Sequence, residues 1–305
     1  MVIFFVTHPH DYTLADVRAA APPGTIEVIY YGRAFAAKQL PRATYVFADL
    51  DRLNPHQIQR AAKLRLRLMR AGCRVLNDPA RFVGRLALLR QLYAAGINRF
   101  TAYPAVPAPS PERWPVFLRL GSGHQPPSTR LLANPAELAS RTAAALKAGV
   151  PPEYLIVVEF SAEPLACGLW RKLSVYRVGD SLFADSCVHN RNWVAKIGED
   201  GIAPADVYED ELRIMRENPH GQEMLRVFEL AGTEYGRVDF GLVSGRPSVW
   251  ELNTNPMVEF LGDTPSPFRS ETRRLFREQY LAALAALDGA PDVSRENLVS
   301  KSGGD

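Results

Sequence analysis

Apolar residues recur along this chain with two spacings. Residues 2–6 (Val-Ile-Phe-Phe-Val) form an unbroken apolar run, the pattern of a strand covered on both faces. Shorter apolar runs at 27–31, 44–50 and 74–76 predict three more strands. Between them, 14–20 fits a short helix. The segment 55–71 places Ile58, Ala61, Ala62, Leu64, Leu66, Leu68 and Met69 opposite a basic face, and Gly72 ends it. Strands alternating with helices predict a small parallel α/β lobe over residues 1–76.

The next stretch changes character. Asp78 is a good N-cap and Pro79 suits a first helical turn, so a helix is predicted through Phe82, Leu86, Leu89, Leu92 and Tyr93, ending at Gly96. Residues 102–115, rich in Pro and Ala, read as a connection. A strand at 115–120 runs into Gly121-Ser122-Gly123, where backbone N–H groups can approach an anion. Asn134 caps a helix over 135–148, and 154–160 is an apolar strand. Residues 168–183 read as a hairpin turning at Gly179-Asp180. A polar and aromatic loop follows at 185–197, with His189, Trp193 and Lys196. Helices are predicted at 210–217, 222–231 and 267–287. The polar tail 289–305 is expected to be disordered.

The sharpest pattern is at 235–256. Val238, Phe240 and Leu242 alternate with Asp239, Gly241 and Val243, the period of a strand with two distinct faces. Ser244-Gly245-Arg246-Pro247 supplies a turn and an apolar strand returns to Leu252. Folding that hairpin brings Asp239 towards Glu251 and Asn253, which share a face. Two carboxylates and a carboxamide oxygen form a donor set for a hard divalent cation such as Mg2+.

Composition narrows the context. The chain has 305 residues, 47% of them hydrophobic and 23% charged, enough for two or three lobes. A net charge of +3 gives no argument for a nucleic-acid partner. No apolar run approaches the ~20 residues of a membrane-spanning helix. Cys73, Cys167 and Cys187 are odd in number and lack metal-like spacing, as expected of thiols in a reducing, cytoplasmic compartment.

The stretch 235–256, following a strand that ends in a cation and a Gly-rich loop, resembles the nucleotide-binding core of the ATP-grasp superfamily. The resemblance implies an α/β fold with α+β lobes: an N-terminal parallel lobe (1–76), a central lobe with the Gly-rich loop (77–158) and a C-terminal lobe with the metal site (159–288), the last two clasping the nucleotide. It implies ATP and Mg2+ (or Mn2+) as cofactors, with Asp239, Glu251 and Asn253 as metal ligands. Arg237 would stabilise the acyl-phosphate or tetrahedral intermediate. Arg85, with Arg81 as competitor, and Arg119 would meet the phosphates where the family usually has Lys, together with Gly121, Ser122, Gly123 and Lys172. Glu159 and Phe160 would lie at the adenine hinge and Glu163 at the ribose, against a solvated loop acid. Arg171 and Arg177 would clamp phosphate or carboxylate, against exposed strand cations.

His189, Asn255 and His8 are candidates for substrate contact. His8 and His10 sit just past a strand's carboxyl end, where open α/β sheets bind ligands. The implied activity is ATP-dependent ligation of a small-molecule or peptide carboxylate to an amine, with phosphotransfer to another acceptor or nucleotide binding without turnover as alternatives. Homodimers are common in the superfamily.

Overall fold

The computed structural model describes residues 1–123, 125–195 and 198–287, and the backbone of 298–300. Strand β1 (Val2–Val6) is fully buried. It is followed by a 3-10 turn at His10–Leu14, helix α1 (Ala15–Ala20), β2 (Ile26–Tyr30), α2 (Tyr31–Ala36), β3 (Gln39–Pro41), β4 (Thr44–Phe47), α3 (Pro55–Arg70) and β5 (Val75–Leu76). Strands β2-β1-β4-β5 form a parallel sheet in that order. Helix α3 starts from a capping box: Asn54 Oδ1 accepts from the Gln57 amide and Gln57 Oε1 accepts from the Asn54 amide.

A second unit comprises α4 (Arg85–Ala94), β6 (Ala102–Pro104), β7 (Val116–Leu120), α5 (Pro135–Lys147) and β8 (Leu155–Glu159). Two expectations are corrected. Asp78 caps only a 3-10 turn at Pro79–Arg81, accepting from the Ala80 amide, and α4 begins afresh after Gly84. The Pro/Ala-rich connection contains a strand: β6 pairs with β8, in the antiparallel order β6-β8-β7.

The third unit has β9 (Trp170–Val178), β10 (Ser181–Ala184), β11 (Val188–Asn190), α6 (Ala205–Glu217), α7 (Gly221–Leu230), β12 (Tyr235–Val243), β13 (Arg246–Asn253) and α8 (Pro267–Leu287). Its antiparallel sheet runs β10-β9-β12-β13, with β11 also on β9. The expected disordered tail is corrected in part. Strand β14 (Leu298–Ser300) pairs antiparallel with β3, and the remaining tail residues lie outside those described.

One core runs from the inner face of the parallel sheet (Phe4, Val46) through Leu88, Leu89 and Ile156 to Tyr176, Phe228, Tyr235 and Phe276. Asn77 pins the first sheet to the third. It is buried at φ 64°, a left-handed conformation that Asn tolerates. Its amide donates to the carbonyls of Phe47 and Tyr235 (3.0 and 2.9 Å) and its oxygen accepts from the Glu234 and Tyr235 amides (2.8 and 2.9 Å). Among the described residues no helix is long and apolar enough to cross a membrane.

Candidate active site

The β12–β13 hairpin is the wall on which the site is built. Ser244 and Gly245 both take positive φ (49° and 74°), as a two-residue type I′ turn requires. Asp239 pairs directly with Glu251, and Arg237 with Asn253. The register then slips between Asp239 and Phe240, leaving Trp250 as an extra residue. Such a bulge re-aims side chains. Trp250 and Glu251, though consecutive, therefore both line a cavity of about 540 Å³, and the Trp250 ring lies where a Cβ on Gly241 would intrude, at 2.5 Å.

Charges interlock at this wall. Asp239 accepts from Arg237 (Nε 2.7 Å, Nη2 3.1 Å), from Lys172 Nζ (3.1 Å) and from Ser174 Oγ (2.9 Å). Burial pushes the Asp239 carboxyl up, but Arg237 and then Lys172 outweigh it and hold it below the ordinary range. Glu251 meets Arg85 from α4 (2.8 Å) and Arg119 from β7 (3.7 Å). Burial and the neighbouring Arg85 bring Arg119 down to about 10. Behind Arg237 stands Asp185 (3.6 Å), raised to about 6 by burial against the pull of Arg237. Four cations thus surround Asp239 and Glu251 and outnumber the carboxylates even with Asp185 counted. The surplus suits an anionic ligand.

The cavity has two further ends. Leu89, Phe100, Phe117, Val158, Phe160 and Trp193 make one end apolar, with Trp193 packed on Phe117 and Phe160 (ring centroids 5.1 and 5.5 Å). At the other end Tyr12, Thr13 and Arg52 meet Asn255, Met257 and Glu259. Thr13 Oγ1 donates to Asn255 Oδ1 (2.9 Å), and Asn255 donates to the His10 carbonyl (3.2 Å).

Solved structures share this fold over nearly the whole chain. A D-alanine–D-alanine ligase from Bacillus anthracis complexed with ATP aligns with 94% of this chain and 98% of its own, at TM-score 0.52 and 12% identity. The RimK domain ATP-grasp protein from Sphaerobacter thermophilus covers 94% and 99%, at TM-score 0.50 and 16% identity. The ATP-grasp ligase PsnB, complexed with a phosphomimetic variant of its minimal precursor, Mg and ADP, covers 94% and 97%, at TM-score 0.52 and 16% identity. No family model and no curated protein sequence matches the chain. The chain has the ATP-grasp fold.

On this ATP-grasp scaffold the expected residues divide. Arg119, Glu159, Phe160, Lys172, Arg237, Asp239, Glu251, Asn253 and Asn255 line one cavity, and Arg85 reaches it through Glu251. Arg171 and Arg177 do not. They lie on the face of β9 opposite Lys172 and Ser174, with Arg171 bound to Asp210 (2.6 Å) and Arg177 to the carbonyls of Gly179 and Thr233. Glu163 instead closes the hairpin turn by accepting from the Ser244 amide (2.8 Å).

The Glu159 carboxylate is buried and accepts from Thr101, Glu112 and Arg113 amides and the Tyr103 hydroxyl. The Glu159 and Phe160 N–H groups donate to the Thr101 and Pro115 carbonyls. His189 lies behind β9 against Tyr208, and burial, then Arg269 and Arg171, lower it to about 4. His8 is exposed against Tyr30. The cavity's loop wall is Gln125-Pro126-Pro127 rather than Gly121-Ser122-Gly123; Gly121 donates to the Tyr154 carbonyl and Gly123 accepts from Arg85. Lys196 lies outside the described residues.

Sequence reasoning passed over Trp250 and Arg52, and named Trp193 only as part of the loop at 185–197. A Gly in one strand and a Trp in the other, with room for the ring over the missing Cβ, was the one available signal for the first. Among the described residues no three His, Cys, Asp or Glu cluster as metal ligands. The donor set of Asp239, Glu251 and the Asn253 oxygen, which here accepts from the Asn255 amide (2.8 Å), nevertheless fits Mg2+ or Mn2+, which prefer oxygen and leave coordination sites to phosphates.

Proposed function

We propose that the chain is an ATP-dependent ligase that activates a carboxylate as an acyl-phosphate and joins it to an amine. The observation that carries this reading is the hairpin: Asp239 opposite Glu251, with Arg237 and Asn253 beside them, on one cavity wall of an ATP-grasp fold. Asp239, Glu251 and Asn253 would hold Mg2+, which would supply positive charge against that of the phosphates. Phe117, Phe160, Trp193 and Trp250 form an apolar slot for a purine and keep water from that end. Arg119 and Lys172 hold phosphate oxygens, and Arg85 steadies the Gly-rich loop through the carbonyls of Leu120 and Gly123.

The substrate carboxylate oxygen attacks the γ-phosphorus as the bond to the β-phosphate oxygen breaks, and ADP leaves. An amine nitrogen then attacks the acyl carbon, phosphate departs and the nitrogen loses a proton. Negative charge moves at each step. Arg237, aligned by Asp239 and Asp185, is placed to stabilise it on the transferring phosphoryl group and on the tetrahedral adduct. A hydroxylamine trap tests the reading: with Mg-ATP and a panel of carboxylic acids, the protein yields a hydroxamate, ADP and phosphate in equal amounts. Phosphate remaining on the acceptor would instead make it a phosphotransferase. Nucleotide binding without ADP release would make it a binding protein.

A further inference from the structure

Building on the ligase reading, we propose that Arg52 selects substrates carrying a second oxyanion, a carboxylate or phosphate, at the end remote from the nucleotide. The cavity continues past the metal-binding wall into the first lobe, and Arg52 is the cation that lobe contributes to its lining. The support under Arg52 is built. Asp49, at the carboxyl end of β4, is fully buried and takes a left-handed conformation (φ 58°, ψ 28°), uncommon outside glycine and found at functional sites. Its Oδ2 accepts from the Thr7 amide (3.0 Å) and the Thr7 hydroxyl, with His10 at 3.5 Å. Its Oδ1 accepts from Arg52 Nε (2.9 Å).

The guanidinium is therefore gripped by one edge. Its two terminal nitrogens have no hydrogen-bond partner among the described residues, and the side chain is 28% exposed at the cavity. A planar fork fixed in this way matches two oxygens of a carboxylate or phosphate.

The fork's place relative to the reacting centre is also set. Asp49 N–H donates to the Thr254 carbonyl (3.4 Å) and Leu50 N–H to Thr254 Oγ1 (3.0 Å), so the support is tied to the residue after Asn253. Thr13 and Asn255 bind each other, so their polar atoms do not compete with the terminal nitrogens of Arg52 for a ligand. Glu259 lines the same end and repels an anion placed beside it, which confines the anion to the Arg52 fork. Tyr12 and Met257, both large and exposed, flank the path for the body of the ligand.

The experiment uses the full chain saturated with Mg·AMP-PNP, a nucleotide that stalls the first step. Isothermal titration compares dicarboxylates from malonate to adipate with their monomethyl esters, and ω-phosphonocarboxylates with unsubstituted acids of equal length. At least one doubly anionic probe binds about tenfold or more tightly than its singly anionic match, and the series that does so identifies carboxylate or phosphate as the second group. Arg52→Gln erases the difference, and Arg52→Lys restores part of it. Equal binding of matched probes, binding by none, or a preference that survives in Arg52→Gln overturns the proposal while leaving the ligase reading standing. If Mg·AMP-PNP itself does not bind, the ligase reading falls first.

Discussion

Glu251 answers two guanidiniums and Asp239 a guanidinium and an ammonium, so neutralising either acid leaves buried cations unpaired as well as removing an oxygen donor. Asp239→Asn and Glu251→Gln are expected to lower ADP release about a hundredfold or more, measured in the hydroxylamine assay with folding checked by circular dichroism. His189 makes a different prediction. Its folded pKa, about 4, lies below its unfolded value, so the unfolded chain binds the extra proton as pH falls through 6.5 towards 4, and stability drops over that window. Between pH 7 and 5 this one group accounts for about 2 kcal/mol in urea denaturation, and His189→Phe flattens that part of the slope.

At this scale the gathering of Asp239, Glu251 and Asn253 on one wall was readable, because a hairpin with that spacing sets the three side chains side by side. The β9 cations were not, since Arg171 and Lys172 differ only in which face of the strand they occupy, and a loosely alternating strand does not declare its faces.

Among the elements, the hairpin depends on two glycines for closeness. A Cβ on Gly236 would stand 2.7 Å from the backbone oxygen of Asn253, which cannot swing aside as a side-chain end can. Gly236→Ala is expected to cost about 1–3 kcal/mol and to weaken the Mg2+ dependence of turnover by moving Asn253. Removing the α3 cap with Asn54→Ala costs about 1 kcal/mol and leaves ADP release alone.

The long amphipathic segments were legible: α3, α5 and α8 fall where apolar spacing and caps place them. The start of α4 was not, because Asp78-Pro79 is as good an entry to a single 3-10 turn as to a helix. Strand β6 was hidden by its own Pro104 and the prolines that follow it, and a three-residue edge strand tolerates such a proline. The bulge at Trp250 has no local signature at all, since it is fixed by how two strands meet.

Across the whole molecule, Asn77 links two sheets that are far apart in sequence, with separations of 30 and 158 residues across its two donated bonds. Asn77→Ala would strand buried carbonyls and amides on both sides and is expected to destabilise the chain by roughly 2–5 kcal/mol in urea titration. The overall layout could be anticipated from the order of strand and helix patterns together with one motif, whereas this junction could not, since nothing in Asn77-Asp78-Pro79 points towards residue 235.

The pairing of Asp239 and Glu251 with cations from β7, β9, β12 and α4 has an outcome in solution. A cleft left with only one cation in excess recruits few dissolved anions, so an arriving polyphosphate displaces few of them. Nucleotide affinity then changes little as potassium chloride is raised, unlike that of an open basic groove, which sheds its counter-ions on binding.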